Sequence, residues 1–322
     1  MDDPVLLPKL KLTAPELPPF LADYAAIAKK MPNWAVRAAL MSQYPRHLYN
    51  YLRFDSASEE SLRNLSTMLV DSNLYLNDPA DFNDPFEFKN RLVLDDDEVL
   101  KHFFSVVHSV THPNDTRSPS ARDALIEELV AKVKTAPEQI FGVLFETHSH
   151  GVHCFTPEPK SQLMWSHYAD SHRGICLQFR TSYDVPTFLA AGAVDYCDDF
   201  PDFHIPTAPQ ADTVAMMMRK GTSWSYEKER RIAMLAINSR LLSFEPRALT
   251  GLILGSRFPK KHLPAIQQML AKRFDRGLPK VQLYQAEAQD TAYRLSVRKL
   301  ESMPLNSGAI SGVIPWDSIY ER

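Results

Sequence analysis

Glu227 and Glu229 stand two residues apart, just after Trp224 and Tyr226 and just before Arg230, Arg231 and the apolar run Ile232-Ala233-Met234-Leu235. If the run is a β-strand, its period of two puts Glu227, Glu229 and Arg231 on one face and Tyr226, Lys228 and Arg230 on the other. Two like charges at one end of a face repel unless a cation or a substrate sits with them. The pair therefore reads either as a carboxylate site or as a surface strand whose acids pair with Arg231 or a nearby lysine. A second dense block runs from Gln162 to Arg173 and contains Met164, Trp165, Ser166, His167, Tyr168, Asp170 and His172. On a helix, Trp165, Tyr168, Ala169 and His172 share one face, and Met164, His167 and Ser171 share another. So many donors beside so many rings suit the wall of a site, with Trp165 or Tyr168 stacking on a base and His167 hydrogen-bonding a ribose. The alternative is an amphipathic core helix with satisfied histidines. A third block, Asp81 to Phe86, sets Asn83 and Asp84 between Phe82 and Phe86, either to face a ligand or to close an Asx turn.

Other chemistries lack their usual signatures. His148, His150 and His153 precede Cys154 at a spacing that suits a strand, but no CxxC pair or carboxylate motif accompanies them, so no metal is expected. There is no GxGxxG, P-loop or GxSxG elbow. With only 10 glycines in the chain, a glycine-rich phosphate cradle is not expected either.

The elements that must carry these blocks are readable in outline. His47 to Phe54 reads as a first strand, followed by a helix that opens at Ser58 with acids in its first turn. Leu74-Tyr75-Leu76 is a short strand, and Asp78 to Phe86 a loop broken by Pro79 and Pro85. Residues 97–149 read as three helices: Asp97 to Val110, Ser118 to Lys134 with Leu125, Leu129 and Val133 on one face, and Pro137 to Glu146. Gly151 to Phe155 is a strand, Ser161 to Arg173 a helix stopped by Gly174, and Ile175 to Phe179 a strand. Residues 194–209, with their acids and Pro201, Pro206 and Pro209, read as a long surface loop. A strand over 226–237, a buried strand from Leu249 to Gly255, a helix from Pro259 to Phe274 and two paired late strands complete the chain. Strands and helices alternate irregularly, which makes the fold class α+β. The Pro-punctuated residues 1–46 read as a helical N-terminal extension. Residues 47–300 form the main domain with the helical insertion 97–149, and residues 301–322 are a C-terminal tail.

The 322 residues carry 36 basic and 39 acidic side chains, a net charge of −3. That balance speaks against a generic nucleic-acid binder but leaves room for a local groove. Cys154, Cys176 and Cys197 are odd in number and form no CxxC, which fits a reducing compartment. No stretch is apolar for the length of a membrane span, and Met1-Asp2-Asp3-Pro4 does not open a signal peptide. A cytoplasmic protein without membrane contact is the expectation.

The blocks Leu48 to Arg53, Leu74 to Phe86, Cys154-Phe155-Thr156, Leu163 to Cys176, Trp224 to Arg231 and Leu252 to Gly255 resemble, in order, those of a prokaryotic family defined by a domain of unknown function, number 2971. The likeness spans roughly residues 47–298. Two positions depart from the family pattern: Leu52 intervenes between Tyr51 and Arg53, and Arg230 stands where a tryptophan is usual. The order of motifs is also similar to that of ADP-ribosyltransferases: a basic residue on an early strand, an aromatic strand and loop, then Glu-x-Glu. This second resemblance implies a split, two-sheet core with NAD, as a substrate, in the cleft between the sheets. Glu229 would then stabilise the oxocarbenium-like state of nicotinamide–ribose cleavage, and Glu227 would orient or deprotonate the acceptor. Arg53 would clamp the diphosphate and serve as counter-charge to the glutamates. Trp165, His167, Tyr168, Asn83 and Tyr226 would line the NAD site. The acceptor would be a protein or nucleic acid, and the biological role that of a toxin or anti-phage effector, with an antitoxin or regulatory partner engaging the N-terminal extension. Two other readings compete: a nuclease or other hydrolase using His167, Asp170, Asp84 and Glu229, and a non-catalytic nucleotide-binding module.

Overall fold

The computed structural model describes residues 44–136, 150–205, 209–235 and 237–301. Nearly all of the expected N-terminal extension, the third insertion helix and the C-terminal tail lie outside the described residues. The chain opens with β1 (His47–Leu52), α1 (Glu59–Leu69), β2 (Asn73–Tyr75) and β3 (Arg91–Leu94). The insertion follows as α2 (Asp97–Thr111) and α3 (Pro119–Thr135). Next come β4 (Gly151–Phe155), α4 (Gln162–Tyr168), β5 (Ile175–Arg180), α5 (Val185–Leu189), β6 (Gly192–Ala193), β7 (Asp195–Cys197), β8 (Asp202–Ile205) and α6 (Pro209–Met217). The last part holds β9 (Arg219–Gly221), β10 (Arg230–Met234), β11 (Leu241–Ser243), β12 (Leu249–Leu254), α7 (Leu263–Asp275), β13 (Gln282–Ala288) and β14 (Leu295–Lys299).

Local chemistry starts several of these elements. The Ser58 hydroxyl accepts from the Ser61 N–H at the start of α1, with Glu59 and Glu60 against the positive end of the helix dipole. Asp96 and Ser118 cap α2 and α3 in the same way, and Pro119 sits in the first turn of α3, where a missing N–H costs nothing.

The fold is mixed α+β with several sheets, and the described residues form no closed barrel. A five-stranded sheet runs in the order β1-β5-β12-β13-β14 and a three-stranded sheet in the order β4-β10-β6. Within the larger sheet only β12 and β13 are parallel, joined through α7. The two sheets touch where Tyr49 and Thr156 exchange backbone hydrogen bonds of 2.8 and 2.9 Å. Side-chain alternation along β1 separates two cores. Leu48 and Leu52 join a large cluster with Phe155, Phe179, Phe188 and α7, whereas Tyr49 and Tyr51 pack with Trp165 and Cys176 on the other face. The helical insertion builds its own core from Leu100, Phe104, Ile126, Val130 and Val133, closed by Phe203 and Met216.

Four expectations need correction. The strand expected over 226–237 begins only at Arg230, because Thr222–Glu227 forms a 3-10 helix ended by Lys228 in the left-handed region (φ 47°). The helix expected to Arg173 ends at Tyr168, and Asp170, Ser171 and His172 all take positive φ. The segment 194–209 is not all loop: β7 pairs in parallel with β9, and β8 with β3. In α3 the buried stripe is Ile126, Val130 and Val133, so the helix is rotated by about one residue from the Leu125–Leu129 face, a ±1 ambiguity inherent in a 3.6-residue period.

Candidate functional site

A cleft of about 790 Å³ opens where β1 and β4 run side by side, with α1 along one wall. Arg53 and Asp55 follow β1 into it, Ser61 and Asn64 reach it from α1, and His167 and Tyr168 from α4. Asp81, Phe82 and Asn83 line it from the loop after β2. At its floor lie Lys220, Glu227 and Glu229, with Cys154 of β4 and Thr156 just after it beside them.

The floor is a buried network of charges. The Lys220 ammonium lies 2.6 Å from Glu227 Oε2, 3.0 Å from Glu87 Oε1 and 3.2 Å from Glu229 Oε2. The Arg231 guanidinium grips Glu229 with Nε and Nη2, each at 2.9 Å, and donates through Nη2 to both Glu87 oxygens at 2.8 Å. Its remaining donor, Nη1, goes to the Met217 carbonyl at 2.8 Å. Lys220, Glu87 and Arg231 side chains are at most 4 % exposed. With every group ionised, this network holds three carboxylates and two cations. Tyr168 completes it by donating its hydroxyl to Glu227 Oε1 at 2.6 Å.

The two glutamates are not equivalent. Burial alone would raise the Glu229 carboxyl, but Arg231 first and Lys220 next overcome this and hold it at about 2. Burial pushes Glu227 the other way, above the usual carboxylate range, and the nearby Glu229 charge adds to that despite the opposing bonds from Lys220 and Tyr168. Burial works against the charge on Lys220, yet Glu229, Glu87 and Glu227 keep it above its ordinary range. Burial and the Glu227 charge raise the Tyr168 hydroxyl, so it is a proton donor and not a phenolate. Cys154 is raised by burial and by Glu229, which leaves it a thiol.

Backbone geometry explains how the glutamates converge without sharing a strand. The 3-10 turn projects Glu227 inward, Lys228 reverses the chain through its left-handed conformation, and Glu229 enters just before β10. The Thr156 hydroxyl donates to the Glu227 carbonyl at 2.6 Å, and the Glu229 N–H donates to the Tyr196 hydroxyl at 2.8 Å. On the surface, the Lys228 ammonium pairs with Glu158 at 2.7 Å. The turn is thus pinned from both sides.

The structure brings together most of the residues expected from the sequence. Arg53, Asn83, His167, Tyr168, Glu227 and Glu229 all line the cleft. Two of the others do not. Trp165 is fully buried, donates Nε1–H to the Pro159 carbonyl at 2.9 Å and meets Tyr51 edge-on at 5.0 Å, so it is a core residue and no base can stack on it. Tyr226 stands outside the cleft lining, half-buried in a group with His167 and Trp224 at 6.2 and 6.1 Å. The expectation that Arg53 is the counter-charge of the glutamates is also overturned: Lys220 and Arg231 fill that role. The exposed Arg53 guanidinium forms no ion pair among the described residues. Of the hydrolase set, His167, Asp170 and Glu229 line the cleft, while Asp84 is buried and accepts from the Phe86 N–H as a turn residue.

Lys220 and Glu87 were missed by the sequence reading. Glu87 lies 144 residues from Arg231, and no local pattern ties it to the motif. Its one signal is position, directly after the Asp81–Phe86 block. Among the described residues no group of three or more His, Cys, Asp or Glu side chains is placed to hold a metal ion. His153 instead donates Nδ1–H to the Tyr75 carbonyl and is held down to about 4 by burial.

No helix among the described residues is long and apolar enough to cross a membrane. No curated protein and no solved structure matches the chain. Residues 164–232, which carry Tyr168, Lys220, Glu227, Glu229 and Arg231, match the family described as a protein of unknown function (DUF2971), the family that the motifs resemble.

Proposed function

We propose that this protein is an NAD-cleaving enzyme of the ADP-ribosyltransferase type, with Glu227 as the working carboxylate. The observation that carries this reading is the surplus carboxylate at the floor of the cleft: three acids share two buried cations, and of the two acids that line the cleft Glu227 is the one bonded to Tyr168 and not held by Arg231. When the bond between nicotinamide and ribose breaks, its electron pair leaves with the nicotinamide and the ribose becomes oxocarbenium-like. A fixed excess of negative charge in a water-poor floor stabilises that cation and requires no reorganisation as the charge develops. The acceptor then bonds to the ribose carbon and gives up a proton, for which Glu227, with its raised proton affinity, serves as base.

The other residues take roles that match their placement. Glu229 is bound to Arg231 through both oxygens and anchors the floor, which exchanges the roles first expected for the two glutamates. Arg53, exposed on the wall and without an ion-pair partner among the described residues, suits a diphosphate. His167 and Asn83 are available for ribose hydroxyls. Transfer to a protein or nucleic acid, in the setting of a toxin or anti-phage effector, is part of the same proposal.

The test is release of nicotinamide and transfer of label from radiolabelled NAD, with cell extract as the source of acceptor. Wild type should turn over NAD, and Glu227→Gln should lose at least about 100-fold in kcat, as removal of an electrostatic stabiliser of a transition state does. Absence of both nicotinamide release and label transfer from wild type would refute the reading. A rise in melting temperature with NAD but no turnover would leave a nucleotide-binding module, and cleavage of added RNA or DNA without NAD would leave a hydrolase.

A further inference from the structure

Resting on the reading above, we propose that Lys220 is the positioning residue of this cleft, the ammonium that holds Glu227 at the floor as a carboxylate while Tyr168 faces the ligand. Lys220 belongs to β9, a strand of three residues that among the described residues pairs with β7 alone, and its side chain is 4 % exposed. Its ammonium donates to Glu227 and Glu229 and lies 3.0 Å from a third carboxylate oxygen, on Glu87. Its Nζ also lies 4.7 Å from the centroid of the Trp224 ring, the residue that opens the motif. An ammonium enclosed by three carboxylates is neither a nucleophile nor a base. What it can do is set the position and ionisation of its partners.

Glu227 depends on it more than the other acids do. Glu229 and Glu87 each retain the Arg231 guanidinium. Glu227 has only Lys220 and the neutral hydroxyl of Tyr168. The groups facing this pair from the packed elements are Glu87 from the turn before β3, Glu229 and Arg231 at β10, Tyr168 from α4, Tyr196 from β7, and Cys154 from β4. Among them Lys220 is the one cation that touches Glu227. Without it, Glu227 faces Glu229 with no cation of its own and takes up a proton. The cleft then loses the negative charge on which oxocarbenium stabilisation depends.

The experiment uses the full chain. Lys220→Met alone leaves three carboxylates on one arginine, so the companion variant Lys220→Met with Glu87→Gln restores the original charge balance, and Lys220→Arg restores the charge itself. Glutamate carboxylates labelled with carbon-13 are titrated by NMR, with Glu227→Gln to assign the resonance. The Glu227 midpoint should rise by at least about one pH unit in the double variant and return toward wild type in Lys220→Arg. In the nicotinamide-release assay, the acid limb of the kcat profile should move up with it, while KM for NAD stays within about twofold. An unchanged Glu227 midpoint in the folded double variant would overturn the inference, whether or not wild type cleaves NAD. A shifted midpoint together with no NAD turnover in wild type would instead overturn only the functional reading.

Discussion

Glu229→Gln should separate the anchoring role of this acid from any chemical one, and its effect on stability can be worked from the structure. In the folded protein the Glu229 carboxyl is held at about 2 against an ordinary value of 4.5, with Arg231 and Lys220 overcoming its burial. At about 1.4 kcal/mol per pH unit, that difference corresponds to about 3 kcal/mol of folding stability once the carboxylate is ionised in both states. Because the folded value lies below the unfolded one, this contribution is complete above about pH 4.5 and is lost as the pH falls toward 2. The amide cannot titrate, and its NH₂ would face either the Arg231 fork or the Lys220 ammonium, so it recovers little of the interaction. Glu227 contributes with the opposite sign: its folded value is raised, so its share is present at low pH and lost as the pH rises through that value. Because the Glu229 charge is part of what raises Glu227, that share is smaller in the variant and offsets part of the gap at neutral pH. Urea unfolding of wild type and variant across pH 3.5 to 8 is the measurement. The gap should be about 3 kcal/mol at pH 7 and should shrink to about 2 kcal/mol at pH 3.5. A gap that stays constant over this range, or lies below about 1 kcal/mol at pH 7, would refute the assignment of Glu229 as an ionised anchor.

Two further outcomes test other parts of the site. Arg53→Ala should leave the urea midpoint within about 0.5 kcal/mol of wild type, since the exposed guanidinium forms no ion pair among the described residues. The same change should raise KM for NAD by roughly 10- to 100-fold in the nicotinamide-release assay, the worth of a charge-assisted bond to a phosphate. Gly174→Ala should destabilise the protein by about 3 kcal/mol in thermal unfolding, because a Cβ there would lie 2.2 Å from the Leu52 carbonyl oxygen and 2.9 Å from the Ala169 Cα. An unchanged melting temperature for that variant would show that the left-handed turn Asp170–His172 can move away from β1.

The parts of the site that were legible in the sequence are those where chemistry is dense locally. Trp224 to Arg231 and Gln162 to Arg173 announce themselves by composition, and Arg53, Asn83, His167, Tyr168, Glu227 and Glu229 do converge on one cleft. The correct convergence of the two glutamates, however, came from an incorrect local picture. A strand would have placed them on one face by its period of two, whereas the chain achieves this with a 3-10 turn and a left-handed lysine. Nothing in Lys228 advertises that conformation, which is usually the province of glycine or asparagine. Trp165 was misjudged for a related reason: spacing along a helix shows which residues share a face but not whether that face meets a cleft or a core. Lys220 and Glu87 were missed because ion pairing is decided by tertiary contact. Arg231 is two residues from Glu229 and was readable, but Glu87 reaches the same guanidinium across 144 residues.

The charge network also bears on what this region is for. Five buried ionisable groups are an expensive way to fill a protein interior, since desolvation of paired charges commonly outweighs their attraction, and apolar side chains of similar volume serve stability as well or better. The Glu87–Arg231–Glu229 part is self-contained, with every guanidinium nitrogen engaged. A purely structural device could stop there, and that part nearly does: two acids and one arginine, all buried, with Lys220 supplying the second cation and balancing the charge. Adding Glu227 upsets that balance and raises its own proton affinity. The unbalanced acid is also the one tied to the cleft through Tyr168. Glu229 lines the same floor, but both its oxygens are taken by Arg231, so the excess charge sits on the acid that Arg231 does not hold. This asymmetry, more than the presence of a Glu-x-Glu pair, favours a working carboxylate over a structural ion pair, and it puts Glu227 ahead of Glu229 as the residue whose loss should silence the protein.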